Sequence, residues 1–128
     1  MNLLDEEGRK TGLWEESDPH GGVVSGHYVA GERTGLWRHY FRDGAVRSEY
    51  RYEGGVLNGD CTWYRQTGGL LQKGGFLAGD KHGFWQRWSN NGVLIDEGTF
   101  DRGVTSGLWT YYSPDGSIKR TTNHRGMG

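Results

Sequence analysis

The 128-residue chain has one cysteine, two prolines and no surplus of either charge, and each shortage removes a class of protein. A single thiol, Cys61, can neither close an intramolecular disulfide nor build a cysteine-rich zinc site. Fifteen Lys and Arg against sixteen Asp and Glu leave a net charge of −1. Binding to nucleic acid or to an anionic membrane surface ordinarily requires a basic balance instead. No apolar run approaches the roughly 20 residues of a membrane span, and Asp5, Glu6 and Glu7 stand where a secretory leader would need its apolar stretch. A soluble, cytoplasmic chain with no nucleic-acid partner is the expectation. Large apolar side chains are scarce as well: Leu, Ile, Val and Phe make up about 18% of the chain, below the usual level for a globular domain.

What the chain has in quantity is glycine, 24 residues of it, and aromatics, with six Trp, seven Tyr and four Phe. No glycine-free run exceeds nine residues, and an interior glycine costs a helix about 1 kcal/mol relative to alanine, so a helical domain is excluded. The glycines are also periodic. Gly35, Gly59, Gly83 and Gly107 recur every 24 residues, as do Gly31, Gly55, Gly79 and Gly103, and Gly44, Gly68, Gly92 and Gly116. Aromatic registers share that period: Trp37, Cys61, Trp85, Trp109; Tyr40, Tyr64, Trp88, Tyr112; and Tyr28, Tyr52, Phe76, Phe100. An aliphatic register, Val46, Leu70, Leu94 and Ile118, completes the unit. Gly12-Leu13-Trp14 opens the series 23 residues before Gly35-Leu36-Trp37, so one residue is missing after Trp14.

Each unit reads as a hairpin plus a connection. Asp43-Gly44, Asn91-Gly92 and Asp115-Gly116 favour type I′ turns, with Thr67-Gly68-Gly69 in the same slot, and runs rich in aromatic and β-branched residues flank them. Gly-x-x-x-Gly segments supply the second reversal. The expected fold is all-β: an elongated antiparallel β-meander of about five hairpin repeats in one repeat domain spanning 1–128. The repeats run from about 12 to 118, preceded by a lead-in or cap at 1–11 and followed by a polar tail at 119–128. Alternation places Trp37, His39 and Phe41 on one face and Leu36, Arg38, Tyr40 and Arg42 on the other, giving each face an aromatic column that stacks like with like. Gly26, Gly74 and Gly98 share a register within a strand, which suggests a bulge or a ring packed on the backbone; Tyr50 fills that register in the second unit.

The motif G-x-W-x-x-Y-x-x-x-G-x-V/L followed by Y/F-x-x-G-x-x-x-G, carried by Gly35, Trp37, Tyr40, Gly44, Val46, Tyr52, Gly55 and Gly59 and repeated downstream, resembles the MORN repeat. It is most similar to the bacterial MORN-variant family, whose members are commonly labelled antitoxins of toxin–antitoxin pairs. The resemblance runs from about Gly12 to Ile118. It implies tandem MORN-like hairpins that act as binding and scaffolding modules rather than enzymes, with partner proteins and membrane phospholipids among the ligands. Gly35, Trp37, Gly44, Gly59, Gly83, Trp85, Gly92, Gly107, Trp109 and Gly116 would be its structural positions. Cys61 departs from the pattern, and Trp63, two residues on, restores an indole to that face.

Candidate chemistry is thin. His20, His27, His39, His82 and His124 form no metal motif, and His82 sits in a polar connection; no metal or cofactor is expected. Cys61 occupies a Trp register and reads as a small buried hydrophobe rather than a nucleophile. No nucleophile elbow or phosphate-binding loop occurs, so no catalytic residue is assigned. The informative positions are those that vary between units, because structural demand there is the same: His39, Trp63, Arg87, Tyr111; Phe41, Arg65, Ser89, Ser113; and Arg47, Leu71, Ile95, Lys119. Of these, His39, Phe41, Trp63, Arg65, Arg87 and Tyr111 form the candidate partner surface, a mixture of rings and arginine typical of interface hot spots. The leading expectation is a protein-binding module, an antitoxin or immunity protein that neutralises a cognate toxin by direct binding. A MORN-type scaffold or phospholipid-associated module is the alternative, with membrane lipid the less favoured ligand. A carbohydrate-binding aromatic sheet is third.

Overall fold

A computed structural model describes residues 2–19 and 21–124. Thirteen strands follow one another: β1 (Leu3–Leu4), β2 (Lys10–Ser17), β3 (Val23–Val29), β4 (Glu32–Tyr40), β5 (Val46–Glu53), β6 (Val56–Leu57), β7 (Gly59–Tyr64), β8 (Leu70–Leu77), β9 (Asp80–Lys81), β10 (Gly83–Trp88), β11 (Leu94–Asp101), β12 (Val104–Tyr112) and β13 (Ile118–His124). They form one open antiparallel sheet in sequence order, with the two-residue strands β6 and β9 paired beside β5 and β8. Among the described residues no helix is long and apolar enough to cross a membrane. The meander of hairpin repeats is the fold that the periodic glycines predict.

Both ends extend the array. Leu3 and Leu4 pair with Thr11 and Lys10, so the lead-in forms a short hairpin against the first repeat. Residues 119–124, expected in a polar tail, instead belong to β13, where Thr122 pairs with Trp109 and His124 with Gly107. Pairing overrides composition here because β12 would otherwise leave its backbone donors and acceptors unmet along a whole edge.

The expected type I′ geometry is found at the connections and not at the tips. From the second repeat onward a single glycine at each tip takes positive φ, as at Gly44, while the Gly44 amide donates to the Phe41 carbonyl and the Phe41 amide to that of Ala45. This is a type I turn closed by one left-handed residue. The two-residue turns with positive φ at both positions are the connections: Ala30-Gly31, Gly54-Gly55, Ala78-Gly79 and Arg102-Gly103. There the second glycine also donates to the preceding repeat, Gly31 to the Lys10 carbonyl and Gly55 to that of Arg33, tying neighbouring units together.

After each tip from the second repeat onward, one residue bulges. His39 pairs with Ser48 and Tyr40 with Val46, leaving Arg47 opposite nothing; Leu71, Ile95 and Lys119 are left over in the same way. In the first repeat Ser17 pairs with Val23 and Glu16 with Val24 without interruption. The residue missing after Trp14 is therefore the bulge itself.

The core is a single column of rings on one face. Trp14, Tyr28, Trp37 and Tyr52 meet edge to face, with centroids 4.9–6.2 Å apart, and Phe76, Trp85, Phe100 and Trp109 do so at 5.2–5.8 Å. The expected stacking of like with like is corrected: indoles alternate with phenol or phenyl rings, because an aromatic edge is positive and a face negative. The second face has no such column. Its Tyr64 and Tyr112 instead donate to Glu49 and Glu97, and Leu13, Phe84 and Leu108 stay exposed.

The indoles fit because glycine lies under them. A Cβ on Gly26, Gly74 or Gly98 would fall 2.1–2.2 Å from a ring carbon of Trp37, Trp85 or Trp109. Each of those indoles then donates from Nε1 to the carbonyl of the residue after its glycine: His27, Gly75 and Thr99. In the middle of the array both members of the pair change. Tyr50 replaces the glycine and Cys61 the tryptophan, while Trp63 closes the column by contacting Tyr50 and Trp85 and donating to the Tyr50 hydroxyl at 2.8 Å. The sulfur is the smaller group that a filled glycine site can accommodate.

Gly98→Ala should lower stability by about 1–3 kcal/mol through overpacking. In a Trp109→Cys background the same change should cost less than about 1 kcal/mol, a coupling readable from a double-mutant cycle of urea denaturation midpoints.

Candidate functional site

The candidate surface lies next to the ring column, on the tip side. There β4, β7, β10 and β12 present His39, Trp63, Arg87 and Tyr111, each directly opposite a residue of the returning strand: Ser48, Gln72, Asp96 and Arg120. The six candidate residues share this face but form three groups rather than one site.

His39 stands apart from the rest. Its ring meets Tyr50 at 5.6 Å, and Nδ1 lies 3.4 Å from an Asp18 oxygen. Burial holds its pKa below the ordinary histidine value, and the Asp18 carboxylate only partly opposes that.

Phe41, Trp63 and Arg65 line a groove of about 430 Å³ with Arg47 and Leu71, alongside Tyr64 and the polar Gln66, Thr67 and Asn90. Phe41 and Arg65 are each the first residue of a tip, where the backbone is committed to the turn and the side chain is free to vary. Arg65 Nη2 donates to the Trp88 carbonyl at 2.9 Å, linking the third repeat to the fourth, while its buried Nε has no protein partner among the described residues. The Arg47 guanidinium lies 5.8 Å from the Phe41 ring centre. The bulge puts Arg47 and Leu71 there, since strict alternation from Ser48 and Gln72 would send them to the other face.

Arg87 and Tyr111 line a second cavity, of about 380 Å³, together with Asp96, Lys81, Trp85 and Trp109. Asp96 is 4% exposed and is held by a bidentate pair, Arg87 Nε to Oδ1 at 3.0 Å and Nη2 to Oδ2 at 2.6 Å. Two charge-assisted bonds in a fork offset the desolvation of that carboxylate, which would be costly alone. Arg120 stacks on Tyr111, its guanidinium carbon 4.1 Å from the ring centre.

A row of cations escaped the sequence reading. Lys10, Arg33 and Lys81 lie over the ring column, Lys10 on Trp14 and Tyr28, Arg33 on Trp37 and Tyr52, and Lys81 on Trp85 and Phe100, at 4.3–5.5 Å. Leu57 and Thr105 hold that register in the third and fifth repeats. The signal was available in the Gly-x-x-x-Gly connections, where positions 33, 57, 81 and 105 repeat at 24, but it carries meaning only once the rings beneath are known. Asp96 was equally hidden, because nothing in the sequence marks one carboxylate as buried.

Of the remaining titratable groups, His82 accepts the Arg102 amide at Nδ1, a role in the connection, and His124 packs edge-on against Trp109. His20 lies outside the described residues. Among the described residues no three His, Cys, Asp or Glu side chains gather as metal ligands would. Cys61 is 1% exposed, and burial pushes its thiol pKa up to about 12, far from the thiolate a nucleophile needs.

Compared with known families, the chain matches the MORN repeat variant over residues 33–53 and 106–125. These segments are the hairpins β4–β5 and β12–β13. No curated protein matches the chain. Among solved structures it is similar to an S. aureus TarM mutant in complex with fondaparinux, alpha-GlcNAc-glycerol and UDP, at 8% identity and a TM-score of 0.45. That likeness covers 88% of this chain and 20% of the other, so the chain spans a fifth of that protein's length.

Native Cys61 should resist a thiol-specific disulfide reagent at pH 8 and react fully once the protein is unfolded, as absorbance at the released chromophore would record. Because the folded pKa of His39 lies below its unfolded value, near 6.5, its contribution to stability is present above that pH and is lost as pH falls through the unfolded value toward the folded one. His39→Gln should therefore flatten that part of the acid limb in denaturation midpoints measured between pH 8 and 5.

Proposed function

We propose that this chain, an array carrying MORN-type repeats, is a non-enzymatic protein-binding module. One observation carries the reading: apart from the paired Tyr50 and Cys61 exchange, the rings and glycines hold their registers while the row beside them changes in every repeat. His39, Trp63, Arg87 and Tyr111 occupy one structural position with four chemistries, opposite Ser48, Gln72, Asp96 and Arg120. A constant scaffold presenting a varied row is how repeat arrays make extended binding surfaces. Trp, Tyr and Arg are also the residues that dominate interface energetics. The groove lined by Phe41, Arg47, Trp63, Arg65 and Leu71 places rings and an aliphatic side chain beside guanidinium groups, a composition that interface anchors favour.

The finer reading is an antitoxin or immunity protein that masks a toxin's active surface. Such a role needs shape and affinity, without chemistry of its own, and that accords with a thiol held far from reactivity and an Arg87–Asp96 pair already mutually satisfied.

The test is co-expression with the products of neighbouring genes, capture of the partner and titration calorimetry. The groove variant Phe41→Ala/Arg47→Ala/Leu71→Ala should weaken that complex by at least about 2 kcal/mol, roughly 30-fold, with its fold intact. Where the partner arrests growth, the parent protein should restore it and the variant should not. Undiminished binding by the variant would remove this face from the proposal.

A further inference from the structure

The repeats can be superposed in the mind position by position, and the first completes what the fourth leaves open. In the first, Lys10 Nζ lies 4.8 and 5.0 Å from the Trp14 and Tyr28 ring centres. Its ammonium is matched by the Glu16 carboxylate at 2.9 Å, which also accepts the Tyr28 hydroxyl at 2.6 Å. In the fourth, Lys81 Nζ lies in the corresponding place, 4.8 and 5.3 Å from Trp85 and Phe100. The acid is gone: Arg87 stands at the position of Glu16, and Phe100 at that of Tyr28. No ion pair joins Lys81 to a carboxylate among the described residues.

The space where that acid would lie is the 380 Å³ cavity, walled by Trp85, Phe100 and Trp109 and lined by Lys81, Arg87 and Tyr111. Asp96 also faces it, but the Arg87 fork already matches its charge, so Lys81 brings the unmatched one. Arg87 uses Nε and one Nη2 proton on Asp96 and keeps three N–H donors for a second acceptor. Both donors face solvent on one side, the Arg87 side chain being 54% exposed, so it is two cations converging beside the rings, rather than deep burial, that would hold a carboxylate here.

We propose that this cavity receives an acidic side chain of the partner protein, whose carboxylate sits between Lys81 and Arg87 as the Glu16 carboxylate sits beside Lys10 in the first repeat. The assignment rests on the reading of this face as a protein-binding surface and names the chemistry it selects. Internal equivalence separates the repeats: the first has a similar cation and rings but supplies its own glutamate, and in the second Arg33 donates to the Tyr52 hydroxyl at 3.2 Å.

The probe is the blocked tripeptide acetyl-Ala-Glu-Ala-amide, titrated against the full chain while the indole N–H signals of Trp85 and Trp109 are followed by NMR. Saturable shifts at those two indoles are expected. Affinity should fall at least about ten-fold for the Gln version of the peptide and for Lys81→Met, and should be unchanged for Lys10→Met. The Gln peptide needs no change to the protein, so it tests the charge independently of any effect of Lys81→Met on folding. Equal binding of the Glu and Gln peptides, undiminished binding by folded Lys81→Met, or no saturable shift overturns the assignment. Acetate binding as tightly as the peptide overturns the partner side chain as occupant. A null peptide result alongside a groove variant that loses its partner would remove the cavity assignment and leave the binding surface standing. Peptide binding alongside a groove variant that keeps its partner would do the reverse.

Discussion

An indole lying flat against the backbone of the neighbouring strand is the contact on which the rest depends. It occurs where Trp37, Trp85 and Trp109 cover Gly26, Gly74 and Gly98, each on the returning strand of the preceding hairpin, and it requires that no Cβ intervene. Each such ring can bury about 150–250 Å², an upper limit of roughly 4–6 kcal/mol at 25 cal/mol per Å². In a sheet with no second layer, that burial stands in for the aliphatic core the composition lacks. The buried apolar set is accordingly small: Val24, Tyr28, Trp37, Cys61, Trp85 and Trp109.

That contact also explains where function can be written. Glycine and indole consume the centre of each repeat, and the tyrosine or phenylalanine of the returning strand wedges between indoles. Freedom remains only toward the tips, where the bulge adds one unpaired residue and the first residue of each turn projects its side chain. His39, Arg87 and Tyr111 stand beside a rigid column, so they are held in place without being constrained in kind, while Trp63 completes the column itself. The two clefts on this face form where successive rows fail to fill the space between repeats.

The coupled change of Tyr50 and Cys61 shows how far register reasoning reaches. The odd residues are visible in the sequence, each as a break in its own column, yet their partnership is not, because Tyr50 and Cys61 lie on strands of different repeats. The turn types were misplaced for a related reason. Asp-Gly is the local signature of a type I′ turn, but the bulge beyond each tip accommodates a type I turn with one left-handed glycine, and Ala30-Gly31 and Arg102-Gly103 adopt the primed geometry at the cost of positive φ in a side-chain-bearing residue.

Period, glycine placement and alternation by themselves determined the repeat, its strands, the end of each hairpin and the face that varies, since those follow from backbone sterics and a side-chain period of two. Only the tertiary structure decided which of the varying residues meet. It separated His39 from the Phe41 groove, buried Asp96 beneath Arg87, and set Lys10, Arg33 and Lys81 over their rings. Those outcomes depend on distances between strands that pairing and bulges bring together across repeats, and a single register carries no information about its neighbour's depth. The shortage of large aliphatics likewise reads as a missing core until the glycines under Trp37, Trp85 and Trp109 show what replaces it.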